Sequence, residues 1–163
     1  MATVERLLTA GLVEFRVADP TGPNATFCLK SYFTELTTRF DNGFDPNLGH
    51  AGDVTVFAQP EGLFLVAYLR GEPIGCGGLR FHDDQPVDLK RMWVAAAARG
   101  LGVGRRLLGE LEQRARESGA RVVRLETNKS LNEAINLYRS TGYTEVPSFN
   151  DEPYAQHWFE KHL

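Results

Sequence analysis

The chain has 163 residues, with 18 lysines and arginines against 21 acids, for a net charge of −3. That length suits one domain spanning residues 1–163 that buries about 70% of its unfolded surface, and that charge excludes a global attraction to nucleic acid or anionic membrane. No apolar stretch approaches the roughly twenty residues of a membrane span, and Met1–Glu5 lacks the basic start and long apolar run of a secretory signal, so the expected compartment is the cytoplasm.

Residues 1–10 read as a loosely held leader, and Val13–Val17 alternates as a first strand. Pro23 opens a helix marked by Ala25, Cys28, Leu29, Tyr32, Phe33, Leu36 and Phe40, and Gly43 and Pro46 end it. Residues 41–60 form a loop rich in Gly, Asp, Asn and Pro. Strands then follow at Leu63–Leu69, Ile74–Phe81 and Val87–Val94, joined by short turns as an antiparallel meander. A helix over Val103, Leu107, Leu108, Leu111 and Ala115 stops at Gly119, and Arg121–Glu126 is the next strand. A strand–helix–strand unit implies a right-handed crossover, so strand 87–94 should pair in parallel with strand 121–126. The last helix starts with a capping box of Ser130 and Glu133 and stops at Gly142. Tyr143–Val146 and His157–Glu160 supply the final strands. The fold class is therefore α/β, a mixed and mostly antiparallel sheet with helices on both faces and one parallel pair. Cys28 and Cys76 lie in a helix and a strand pattern, which favours two buried free thiols. The histidines at 50, 82, 157 and 162 lack ligand spacing, so no metal is expected.

The segment Arg99-Gly100-Leu101-Gly102-Val103-Gly104-Arg105 joins a strand to a helix. Its glycines let a ligand approach the backbone, and the unpaired N–H groups of a first helical turn suit a phosphate. The Walker pattern is absent because no Lys-Ser/Thr follows. The dinucleotide pattern is broken at its third glycine, where Arg105 stands, and a meander precedes it. This makes a dinucleotide oxidoreductase a weaker reading.

What does match is Arg/Gln-x-x-Gly-x-Gly, read as Arg99, Gly102 and Gly104. With "GCGGLR" and "LKRMWV" before it and "LETN" and "EAINLYRSTGY" after it, this run resembles the GNAT superfamily of N-acetyltransferases, over at least residues 63–143. The resemblance implies acetyl-CoA as cosubstrate and acetyl transfer to a primary amine, on a small molecule or a peptide. It also implies a cofactor cradle at Arg99, Gly100, Leu101, Gly102, Val103, Gly104 and Arg105. The pantetheine arm would lie along Met92, Trp93 and Val94 as an added strand.

By the same resemblance Tyr138 of Leu137-Tyr138-Arg139-Ser140-Thr141-Gly142-Tyr143 donates a proton to the departing thiolate. Asp88 stands where many relatives carry Glu, and its short arm suits a general base acting through water. Glu126 is a second acid there, with the look of a structural residue. Many relatives carry Asn seven residues before the tyrosine; here that position is Leu131, which leaves Asn132 as a weak substitute contact. Residues Arg39–Gly52 should help form the acceptor cleft, with Phe40, Phe44 and Asp45 lining it. The C-terminal strands offer a route to a homodimer. A non-catalytic acyl-CoA-binding module is the alternative, set against by the tyrosine and the strand acid.

Overall fold

The computed structural model describes residues 3–46, 48, 53–83 and 86–163. The helices are α1 (Thr3–Ala10), α2 (Pro23–Arg39), α3 (Val103–Glu117) and α4 (Asn132–Ser140). The strands are β1 (Val13–Ala18), β2 (Gly62–Leu69), β3 (Glu72–Arg80), β4 (Val87–Val94), β5 (Val122–Thr127), β6 (Thr144–Val146) and β7 (His157–His162). They form one sheet in the order β1-β2-β3-β4-β5-β7-β6, antiparallel at every junction except β4–β5. The expected mixed sheet with one parallel pair is therefore the observed one.

Alternation along β2 sorts the core into two layers. Leu63 and Leu65 join the cluster holding Leu107, Leu108 and Leu111 of α3 and Tyr138 of α4. Phe64, Val66 and Tyr68 join Ala25, Cys28 and Leu29 of α2. Each fully buried leucine contributes about 1.5–3 kcal/mol. The glycine-rich β3 lets these layers close: a Cβ at Gly77 would lie 2.5 Å from Leu111 Cδ1. Cys28 and Cys76 are free and buried, as the patterns suggest.

Two irregularities in β4 position the site. Lys90 pairs with Gly78 and Trp93 with Cys76, so Arg91 and Met92 together oppose Gly77. This is a bulge, and Arg91 takes a φ of +56° within it. On its other side β4 pairs with β5 only at Val87↔Val123 and Asp88↔Arg124. Past that point a cavity lies between the strands, bordered by Leu89–Met92 and Leu125–Asn128.

Three local readings are corrected. Residues 3–10 are helical, with Glu5 in the first turn, but none of them is buried and Val4, Leu7 and Leu8 face outward. The loop 41–60 contains a 3₁₀ turn at Val54–Phe57, capped by the Asp53 side chain, which accepts from the Thr55 N–H; Phe57 is buried there. The capping box does not form: α4 begins after Leu131 with no side-chain cap. The Ser130 hydroxyl instead donates to Asn128 Oδ1, and Glu133 accepts from Arg39. Both partners lie within reach, and each removes one half of the box. Asn47 and Gly49–Gly52 of the expected cleft segment lie outside the described residues.

Candidate active site

A groove of about 460 Å³ runs over the start of α3 between β4, α2 and α4. Met92, Trp93, Val94, Arg99, Gly100, Gly102, Val103, Gly104 and Arg105 all border it, so nine of the predicted cofactor positions converge. Leu101 does not, because it packs outward with Val13, Ala67 and Val103. Asn132 is exposed and borders neither this groove nor the cavity below, whereas Leu131 borders both.

The loop has the form an anion needs. Gly100 and Gly102 have φ of +87° and +73°, where a side chain would be strained. The first intrahelical bond of α3 runs from the Arg106 N–H to Gly102 O, and among the described residues no backbone bond engages the N–H groups of residues 100–105. These free donors, with the positive end of the α3 dipole, fit a diphosphate. Beyond its bulge the β5-facing side of β4 is unpaired at Met92–Val94, which fits an extended arm laid along it. Arg99 is less free than its position suggests, because its guanidinium donates to Glu35 of α2. Arg105 donates to Ser140 Oγ, and Arg106 points away to Ala10 O.

A second cavity, about 330 Å³, opens between the diverging strands. Phe40 and Phe44 border it as expected, packed against Tyr154 with ring centroids 5.3 and 4.9 Å away. Asp45 does not border it; its backbone N–H donates to Tyr154 Oη at 2.8 Å, so it fastens the loop rather than lining the space.

Asp88 is buried on the cavity wall, and both its oxygens are engaged. Arg124 Nε donates to Oδ1 at 2.6 Å, and His82 Nε2 lies 2.8 Å from Oδ2. Its arginine partner is therefore on β5. Lys90 pairs with Glu126, and Glu152 lies 4.0 Å away.

Tyr138 borders both the groove and the cavity, together with Tyr32, Leu36, Met92, Leu131 and Ala134. Its hydroxyl has no hydrogen-bond partner among the described residues, although the ring is buried against Tyr143 and Phe159. Burial, and then the charge of Glu126, push its ionisation well above the usual tyrosine range. Its hydroxyl is therefore kept in the protonated form. Tyr32 sits at the same junction, and Arg91, His82 and Arg124 border the cavity. Tyr32 read as an apolar-face position of α2, and the rest as turn or strand charges with no spacing to mark them.

An open α/β sheet with a phosphate-fitting helix start and a splayed parallel pair suits a protein that holds a phosphate-bearing ligand beside a second, smaller one. The model of the acetyltransferase (GNAT) family matches residues 29–143. An IAA acetyltransferase of Azospirillum brasilense is 33% identical over 142 residues, covering 82% of this chain and 92% of that protein. An acetyltransferase of the GNAT family from Staphylococcus aureus Mu50 superposes with a TM-score of 0.75 at 18% identity, over 93% of this chain and 99% of that one. A GNAT family acetyltransferase from Elizabethkingia anophelis, solved with acetyl-CoA bound, gives 0.64 at 16% identity, over 93% and 99%. The chain belongs to the GNAT acetyltransferase family and is an acetyl-CoA-dependent acetyltransferase. That membership sets aside the non-catalytic module and the dinucleotide oxidoreductase.

Proposed function

We propose that the protein moves the acetyl group of acetyl-CoA directly to a primary amine, on a small molecule or a peptide, held in the smaller cavity. One observation carries this reading. The groove and the cavity share Tyr138, Met92 and Tyr32, so a thioester laid in one meets an amine entering from the other. Residues 100–105 hold the diphosphate through their free N–H groups, and the backbone of Met92–Val94 holds the arm.

The neutral amine attacks the thioester carbonyl, and the C–N bond forms as the C–S bond breaks. An amine with a pKa near 10.4 is almost wholly ammonium at pH 7, so one proton has to leave first. Asp88 acts here at one remove. With both oxygens occupied, it orients His82 and stabilises the imidazolium formed when the free ring nitrogen takes the proton through water. Tyr138 gives its proton to the departing thiolate, and the second proton, shed by the nitrogen as the neutral amide forms, restores the Tyr138 hydroxyl through water.

Calorimetric titration with acetyl-CoA, with NADH as control, followed by an amine screen that reads free thiol, tests this. Binding of acetyl-CoA alone and amine-dependent thiol release are expected. Binding without transfer to any amine would overturn the acceptor assignment.

A further inference from the structure

Two buried side-chain atoms lack a hydrogen-bond partner among the described residues: Arg91 Nη1 and Glu126 Oε2. Both residues border the acceptor cavity. A buried polar atom without a partner is costly, more so on a charged group, and such sites call for an explanation. Here one cation and one anion, each with a buried atom left unpartnered, line the same cavity, beside the catalytic junction.

The other half-buried cations of that wall are satisfied. Lys90 is paired with Glu126, and Arg124 with Asp88. Arg91 has no carboxylate within ion-pair distance among the described residues; aromatic rings hold it instead. Its guanidinium lies 5.0 Å from the Phe57 ring and 5.7 Å from the Phe33 ring. The bulge fixes its direction, since a φ of +56° turns the residue out of the regular strand alternation. A fixed guanidinium fork stacked on aromatic faces matches a planar carboxylate. Glu126 gives one oxygen to Lys90 and keeps Oε2 without a partner, which leaves that oxygen to accept from an ammonium. Phe33, Phe40, Phe44, Phe57 and Tyr154 supply apolar walls for the rest of the ligand.

We infer that the acceptor is a free amino acid with an apolar or aromatic side chain, its carboxylate on Arg91 and its amine beside Glu126. This rests on the amine-acetylation reading above and narrows it to a substrate class.

L-phenylalanine and phenethylamine share the ring and the amine and differ only in the carboxylate, so comparing them isolates Arg91. For the wild-type protein kcat/KM should favour L-phenylalanine by at least about tenfold, the range of a charge-assisted hydrogen bond. Arg91→Met should remove that preference by lowering only the L-phenylalanine value, and Arg91→Lys should keep part of it. Both variants retain a Cβ at the same φ, and thermal melts check that they fold. A second readout needs no turnover: with CoA present, N-acetyl-L-phenylalanine should bind the wild type and bind Arg91→Met at least about tenfold more weakly. Equal acetylation of both amines by the wild type would overturn the carboxylate assignment and leave amine acetylation standing. Equal loss of both activities in Arg91→Met, or no binding of the acetylated amino acid, would also overturn it. Thiol release with neither amine nor any other in the screen is the separate failure of the underlying reading.

Discussion

Arg124 Nε donates a 2.6 Å hydrogen bond to Asp88 Oδ1 across the last register pair that joins β4 to β5. The bond therefore sits at the apex from which the smaller cavity opens. His82 holds the other oxygen, so one carboxylate ties the splayed strands together and orients a ring on the cavity wall. Asp88→Asn should lower kcat by about 10²-fold, the lower end of general acid–base effects. The loss should shrink as pH rises towards about 10.4, where the amine becomes neutral without help. The same substitution leaves Arg124 without its carboxylate and should cost about 1–3 kcal/mol of stability. Arg124→Gln separates the two roles. It breaks the same pair and should destabilise by a similar amount, yet it keeps the His82–Asp88 contact and so the shape of the pH–rate profile. If Arg124→Gln reproduces both the rate loss and the altered profile, Asp88 is a strand tie and not part of the proton path.

Gly104 offers a sharper test of the cofactor groove than Gly102 does. At Gly102 any side chain meets a φ of +73°, so lost binding there would be confounded by backbone strain. Gly104 lies in the first turn of α3, and an added Cβ would meet Leu137 Cδ2 at 3.4 Å, Val94 Cγ2 at 3.8 Å and Met92 Cε at 4.0 Å. A Cβ therefore nearly fits, but a longer side chain fills the groove above the free N–H groups. Gly104→Leu should raise or preserve the melting temperature, because helical glycine costs up to about 1 kcal/mol. Acetyl-CoA affinity should fall by at least about tenfold in the same protein, measured by calorimetry. Unchanged affinity would move the diphosphate elsewhere.

Local patterning made the elements legible, and long-range geometry did not. The run Val87–Val94 reads as a strand because its apolar residues fit a buried sheet, and the glycines after it announce the helix at Val103. Phe40 and Phe44 read as cleft residues because they follow an amphipathic helix into its loop, and both border the cavity. The bulge at Arg91 arises from how β3 and β4 register, which no single-chain periodicity encodes. That is why Arg91 reads as an ordinary strand cation, although its pairing with Lys90 as two consecutive charges inside an apolar strand is a faint sign. The Glu35–Arg99 contact joins residues 64 apart in sequence, so Arg99 looked free beside its glycines. Asn132 stands one position past the register that faces the groove, which Leu131 occupies, so it stays exposed.

Tyr138 is buried, yet its hydroxyl has no protein partner among the described residues, a combination that suits a donor aimed at a ligand rather than a core tyrosine. Tyr138→Phe keeps the ring against Tyr143 and Phe159, 5.6 and 6.0 Å between centroids, and removes only that hydroxyl. Stability should be preserved or slightly raised, because no hydrogen bond is lost. Acetyl-CoA affinity should stay within about twofold, while kcat falls by roughly 10²-fold. The pH dependence carries a definite sign. The acid form is the active one, and burial beside Glu126 raises its ionisation above the ordinary value of 10.0. The wild-type rate should therefore show no loss from tyrosine ionisation as pH rises to 10, where an exposed tyrosine would already be half ionised. A rate that declines around pH 9, in the wild type but not in Tyr138→Phe, would show that the hydroxyl ionises in the ordinary range. An unchanged kcat in the variant would leave Tyr138 as a packing residue and return the thiolate's proton to solvent.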